Sequence, residues 1–154
     1  MNKKNIRIIA IALGVWLLVG ILFLGVVFWN DLLLGNMTRS FRRGIQKSDA
    51  AVELLEVESV LGKLNANSNG INYFGAALVT AETPEDMDTL VTELSHEFDV
   101  EYVLQEGSKV NAPYLEHEDL IFEDTQFEDG QTYYCIYFYL HEHPRSNIFD
   151  IRGY

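Results

Sequence analysis

From Ile8 to Trp29 the chain runs for 22 residues without a charged side chain, every one of them apolar or glycine. At about 1.5 Å of rise per residue, a helix of that length spans roughly 33 Å, close to the hydrocarbon thickness of a bilayer. Lys3, Lys4 and Arg7 form a basic flank over residues 1–7, and Trp16, Phe28 and Trp29 supply aromatic weight, Trp29 at an interface position. A cleaved signal peptide needs a shorter apolar core and a small-x-small site, which Val26-Val27-Phe28-Trp29-Asn30 does not offer. No Cys lies near the end of the segment to accept a lipid. The pattern therefore predicts an uncleaved single-pass signal-anchor, a transmembrane helix over 8–29 with an alternative end at residue 34. Gly35 and Asn36 then predict a break, and residues 35–47 a basic juxtamembrane linker.

Beyond the linker the periodicity changes. Ser48 reads as an N-cap, and Ala50, Leu54, Val57, Leu61 and Leu64 recur at helical spacing, so a helix is expected over 48–64. Asn65–Asn72, with four Asn, is a turn region. The apolar run Tyr73–Ala81 suits a strand covered on both faces. Thr83-Pro84-Glu85-Asp86 is a capping-box start, and Met87, Leu90, Val91, Leu94 and Phe98 share one helical face. Val100, Tyr102 and Leu104 alternate as a strand. Strand, helix and strand in about 35 residues make a βαβ unit. A hairpin is expected after it: Leu120-Ile121-Phe122 turns at Asp129-Gly130 and returns along Thr132–Leu140, with Ile121 facing Phe138. On the return strand, Tyr134, Ile136, Phe138 and Leu140 form the core face. Tyr133, Cys135, Tyr137 and Tyr139 form a half-covered face under the 48–64 helix. The expected fold of residues 48–154 is α+β: a mixed sheet with two helices, a variant of the ferredoxin-like sandwich.

Charge sharpens this division. The 154 residues hold 11 Lys and Arg against 23 Asp and Glu, a formal −12. Residues 1–47 carry seven bases and one acid, Asp31, whereas residues 48–154 carry four bases and 22 acids. A domain at −18 is a poor binder of nucleic acid, whose phosphates need basic surface. Seven acids crowd residues 116–129: Glu116, Glu118, Asp119, Glu123, Asp124, Glu128 and Asp129. They lack the alternating ligands of an EF-hand and read as a solvated edge or as a patch that steers a basic protein partner. Arg39, Phe41, Arg42 and Arg43 read as a collar on lipid head groups, with Phe41 dipping into the interface.

Candidate chemistry is sparse. His141 and His143 stand two residues apart, and His117 can join them as metal ligands in a sensor, although Pro144 ends the strand beside them. The lone Cys135 sits mid-strand without a neighbouring base, as a buried, inert thiol would. A phosphate loop, a serine elbow and an HExxH motif are absent from the sequence, so no catalytic residue and no cofactor is assigned, and a hydrolase built on the acidic cluster is the least favoured reading. The expected function is a membrane-anchored protein-interaction or regulatory module. Its partners are the bilayer and a protein, with homodimers through Ala10-xxx-Gly14 of the transmembrane helix or through the 48–64 helix as a further option. Basic side chains lying directly against the apolar run favour an inside N-terminus and an outside acidic domain at the cell membrane.

Overall fold

The computed structural model describes residues 2–62, 72–106, 120, 122, 125 and 130–140. The element order is α1 (Lys3–Lys47), β1 (Val52–Gly62), β2 (Asn72–Ala81), α2 (Pro84–Leu94), β3 (Phe98–Glu106) and β4 (Thr132–Leu140). The protein is α+β: one long apolar N-terminal helix, a four-stranded antiparallel sheet in the order β1-β2-β4-β3, and one short helix.

The first departure from expectation is α1, which is a single helix of 45 residues. Residues 35–47 are not a linker. Gly35 and Asn36 lie inside the helix, where a glycine is unfavourable by only about 1 kcal/mol, and packing on one face outweighs it. Met37, Phe41 and Ile45, each four residues apart, are buried in the domain core. The same helix changes environment along its length. Its most apolar stretch is long enough to cross a membrane and contains no buried residue, unlike a core helix of the domain. Burial starts directly after Trp29: Asn30 is fully buried and accepts a hydrogen bond from the Tyr73 hydroxyl at 3.0 Å. A Cβ added at Gly35 would meet nothing within 4 Å. Gly35→Ala is therefore expected to raise the stability of the full chain in detergent by about 0.5–1 kcal/mol. A fall in its unfolding temperature would contradict a helix there.

The second departure is β1. Residues 52–62 form an edge strand, not a helix, so the 48–64 helix cannot serve as a dimer seam. Its register against β2 slips between Leu54 and Glu56, so Leu55 is the extra residue of a bulge. The bulge turns the two-residue strand step from Leu54 into three, so Val57 continues the face of Val52 and Leu54. Ser59 falls between Val57 and Leu61 on that face, and its hydroxyl hydrogen-bonds that of Thr38 on α1. An apolar spacing of three and four thus arises from a bulge and one satisfied serine.

β2, α2 and β3 form where the pattern predicted. Thr83 accepts from the Asp86 backbone at 3.2 Å, and Asp86 accepts from the Thr83 backbone at 3.1 Å, completing the capping box. Phe98 is not the last turn of α2; it is buried at the start of β3. β2 and β3 both pair antiparallel with β4, which lies between them, so the βαβ unit is split and the sheet is antiparallel rather than mixed. The order αββαββ with β1-β2-β4-β3 is what the βαββαβ ferredoxin-like sandwich becomes when its ends are joined and its second helix is made first.

That placement also removes the expected hairpin. β2 and β3 occupy both edges of β4, leaving no hydrogen-bonding edge for residues 120–122. Gly130 has φ +85°, as a turn glycine does, but its turn leads into the strand that closes the sheet between β2 and β3.

Two cores result. α1 and α2 cover one face, where Met37, Phe41, Ile45, Met87, Leu90 and Leu94 meet Val57, Tyr73, Ala77, Val79, Phe98, Ile136 and Phe138. The second face buries Phe74, Ala76, Leu78, Tyr133, Cys135 and Tyr137, with Leu120 and Phe122 packed on it. The alternation along β4 holds, but on its tyrosine face Tyr133, Cys135 and Tyr137 are buried and only Tyr139 is half-covered, and no 48–64 helix lies over it.

Candidate interaction surfaces

Hydrogen bonds fix how the domain stands on its helix. Asn30 meets Tyr73 at the start of β2, and Thr38 meets Ser59, which pairs with Gly75. After Ser48 the chain turns back, and the Ala51 N–H donates to Asp86 at 3.0 Å. α1 therefore climbs beside β1 and β2 from the Tyr73 end of the sheet to the Ala81 end. The pairs Leu61–Tyr73 and Phe98–Leu140 lie at the anchor end, and Val52–Ala81 and Glu106–Thr132 at the far end. The chain carrying the acidic stretch leaves β3 and re-enters β4 at the far end. Within it, the Thr125 N–H donates to buried Glu56 Oε2 at 2.8 Å, tying that segment to the second face.

Glu116, Glu118, Asp119, Glu123, Asp124, Glu128 and Asp129 themselves, like His117, His141 and His143, lie outside the described residues. Among the described residues, no three His, Cys, Asp or Glu gather as a metal site.

The collar residues separate. Phe41 does not dip into lipid: it is 0% exposed, stacked on Phe138 with ring centroids 3.6 Å apart and edge-on to Phe98 at 5.2 Å. Arg39, Arg42 and Arg43 are exposed on the outer side of α1. Arg39 and Arg43, one helical turn apart, line a groove of about 470 Å³ with Leu33, Asn36, Met37, Ser40 and Glu97. Arg42 is not part of it. The Arg39 Nη2 reaches back to donate to Asn36 Oδ1 at 2.6 Å, and Ser40 Oγ donates to Glu97 Oε1 at 2.8 Å. Periodicity on α1 alone could have paired Arg39 with Arg43. Glu97 arrives from the turn after α2 and needed the tertiary fold.

On the second face, burial pushes the Cys135 thiol up to about 11, so it stays protonated at neutral pH and is a weak nucleophile. Burial likewise raises Tyr137 and Tyr133. Gln105 links them: its Nε2 donates to the Tyr137 hydroxyl and its Oε1 accepts from the Tyr133 hydroxyl, both at 3.2 Å. These groups satisfy one another within an apolar layer and stabilise the sheet. No family model, no curated protein and no solved structure matches the chain.

Proposed function

We propose that this protein is a single-pass, membrane-anchored interaction module whose acidic α+β domain docks a basic surface of another protein at the membrane. The observation that carries the reading is the continuity of α1. One helix is exposed and apolar over its first part and enters the domain core from Asn30 onward, so nothing flexible separates anchor from domain. The −18 balance of residues 48–154 supplies the charge that draws a basic partner, and Thr125 tethers part of the acidic stretch to the second face, opposite the helices. Lys3, Lys4 and Arg7 beside the apolar run favour a cytoplasmic N-terminus and a domain outside the cell membrane.

Photo-crosslinking from positions 118, 119, 123 and 124 of the full chain in intact membranes tests this reading. One discrete partner is expected, captured less at high salt; self-crosslinks alone would defeat the proposal. Protease added to sealed cells reads the orientation in the same preparation, since an outside domain is digested and an inside one is protected.

A further inference from the structure

We propose that the outer edge of β3 is where the basic partner docks, by laying an extended segment beside the four-stranded sheet as a fifth, antiparallel strand. That segment alternates basic residues, set opposite Asp99 and Glu101, with apolar residues set beside Val100, Tyr102 and Leu104. The inference rests on the reading of the domain as an interaction module, and names the surface used and the form its partner takes.

Backbone direction comes first. β1 and β3 are the two edges of the sheet. The Glu82 N–H donates to the Ala51 carbonyl at 3.2 Å, one step beyond the Val52–Ala81 pair. Hydrogen-bonded and non-hydrogen-bonded pairs alternate along an antiparallel ladder. Even-numbered residues of β2 therefore turn their backbone toward β1, and Gly75, Ala77 and Val79 turn theirs toward β4. Phe138, Ile136 and Tyr134 answer them, which leaves Tyr139, Tyr137, Cys135 and Tyr133 to bond Asp99, Glu101, Val103 and Gln105 of β3. The backbone N–H and C=O groups of Val100, Tyr102 and Leu104 point out of the sheet, with no partner among the described residues. This edge runs for nine residues without proline, glycine, lysine or a bulge, the regular form that accepts another strand. β1, by contrast, is interrupted by its bulge at Leu55.

Side chains then select the strand. Val103 and Leu104 are 45% and 58% exposed, and among the described residues they are the exposed large apolar side chains outside α1. The charges of β3 are all acidic, and Asp99, Glu101 and Glu106 are exposed. Asp99, Glu101 and Val103 share the second face. Val100, Tyr102 and Leu104 share the helix face, where the Tyr102 hydroxyl donates to Asp88 Oδ1 at 2.8 Å. An added antiparallel strand meets Asp99 and Glu101 in non-hydrogen-bonded pairs, whose Cα atoms stand only about 4.5 Å apart. Opposite charges facing each other there are favourable, and like charges are not. A second copy of this chain fits neither edge. Two β3 strands pair antiparallel only when one copy is inverted, which anchors in one membrane forbid. β1 of an upright neighbour does run antiparallel to β3, but at matched height it sets Glu58 against Glu101.

The probe is a nine-residue peptide alternating Lys and Val, matched in length to β3. It is titrated at low salt into the full chain in detergent and read by fluorescence anisotropy. In the proposed pairing the Val amides face β3 and the Lys amides face away. N-methylation of the Val amides should abolish binding, whereas N-methylation of the Lys amides should leave it intact. Asp99→Asn and Glu101→Gln should each weaken binding by up to about fivefold, the span of a cross-strand charge pair. Glu93→Gln, at an exposed acid on α2, should not. Leu104→Pro removes an outward N–H and spares the bonds to β4, so it should abolish binding while the unfolding temperature holds. No binding of the plain peptide, or equal or reversed effects of the two methylation patterns, would overturn the edge. Crosslinking from positions 118, 119, 123 and 124 in membranes keeps the two readings apart. A partner captured equally by the parent chain and by Leu104→Pro would refute only the β3 edge, whereas no partner captured by the parent would refute the interaction reading itself.

Discussion

Phe41→Ala should lower the unfolding free energy of the domain by about 3–5 kcal/mol, the range for truncating a fully buried aromatic ring. The ring is 0% exposed, lies flat on Phe138 and edge-on to Phe98, and belongs to the face of α1 that roofs the sheet. Such pairs add about 0.5–1.5 kcal/mol beyond the area they bury. Domains are commonly stable by only about 5–15 kcal/mol, so this one change removes a large part of the margin. The measurement is denaturant unfolding of the full chain in detergent, with amide exchange read across β2 and β4. A residue dipping into lipid would behave differently, weakening membrane partition while leaving both readouts intact. That result would return Phe41 to the interface.

A methyl group on the opposite strand should do nearly as much harm. Gly75 pairs directly with Phe138, and a Cβ there would overlap the end of the Phe138 ring, with Cε1 at 2.7 Å. The ring cannot move aside easily, because Phe41 stacks on it and Phe98 stands edge-on at 5.8 Å. Gly75→Ala should therefore destabilise the domain by about 1–3 kcal/mol, the range for overpacking a closed core. Shortening the ring should relieve the clash. Gly75→Ala combined with Phe138→Leu is expected to be less damaging than the sum of the two single changes. Strict additivity in a double-mutant cycle, or a neutral Gly75→Ala, would show that the ring is not confined.

These two residues also mark where the sequence was legible. Gly75 sits in an apolar run already recognisable as a doubly covered strand, and the faces of β4 followed from alternation alone. The start of α2 was readable because Thr83, Pro84 and Asp86 act within one turn, with no tertiary help. The errors share a different cause. Met37, Phe41 and Ile45 carry a clear four-residue spacing, but Gly35, Asn36 and three arginines around it have the local chemistry of a loop. Only burial against a sheet still to come makes that segment helical. β1 failed in the opposite sense, since one bulge at Leu55 gave a strand the spacing of a helix. The hairpin failed because local turn chemistry at Gly130 says nothing about which strands will occupy the edges of β4. Of the candidate sites, the arginines were visible as a basic cluster in an expected linker, whereas their placement on one helix and the groove two of them line with Glu97 exist only in the tertiary fold.

The unbroken passage of α1 from Trp29 into the core also makes the domain a lever rather than a tethered ball. A flexible chain of 13 residues would let the domain wander over roughly 20 Å. Here the sheet has no independent reach, and its bearing is fixed by how the apolar part of the helix sits in its surroundings. A turn of that part about its own axis swings both faces of the sheet through the same angle. Each residue gained or lost between the two parts would rotate the domain by about 100° and shift it by about 1.5 Å. The side of the domain that meets a neighbour is thus decided by the register of residues that never touch it.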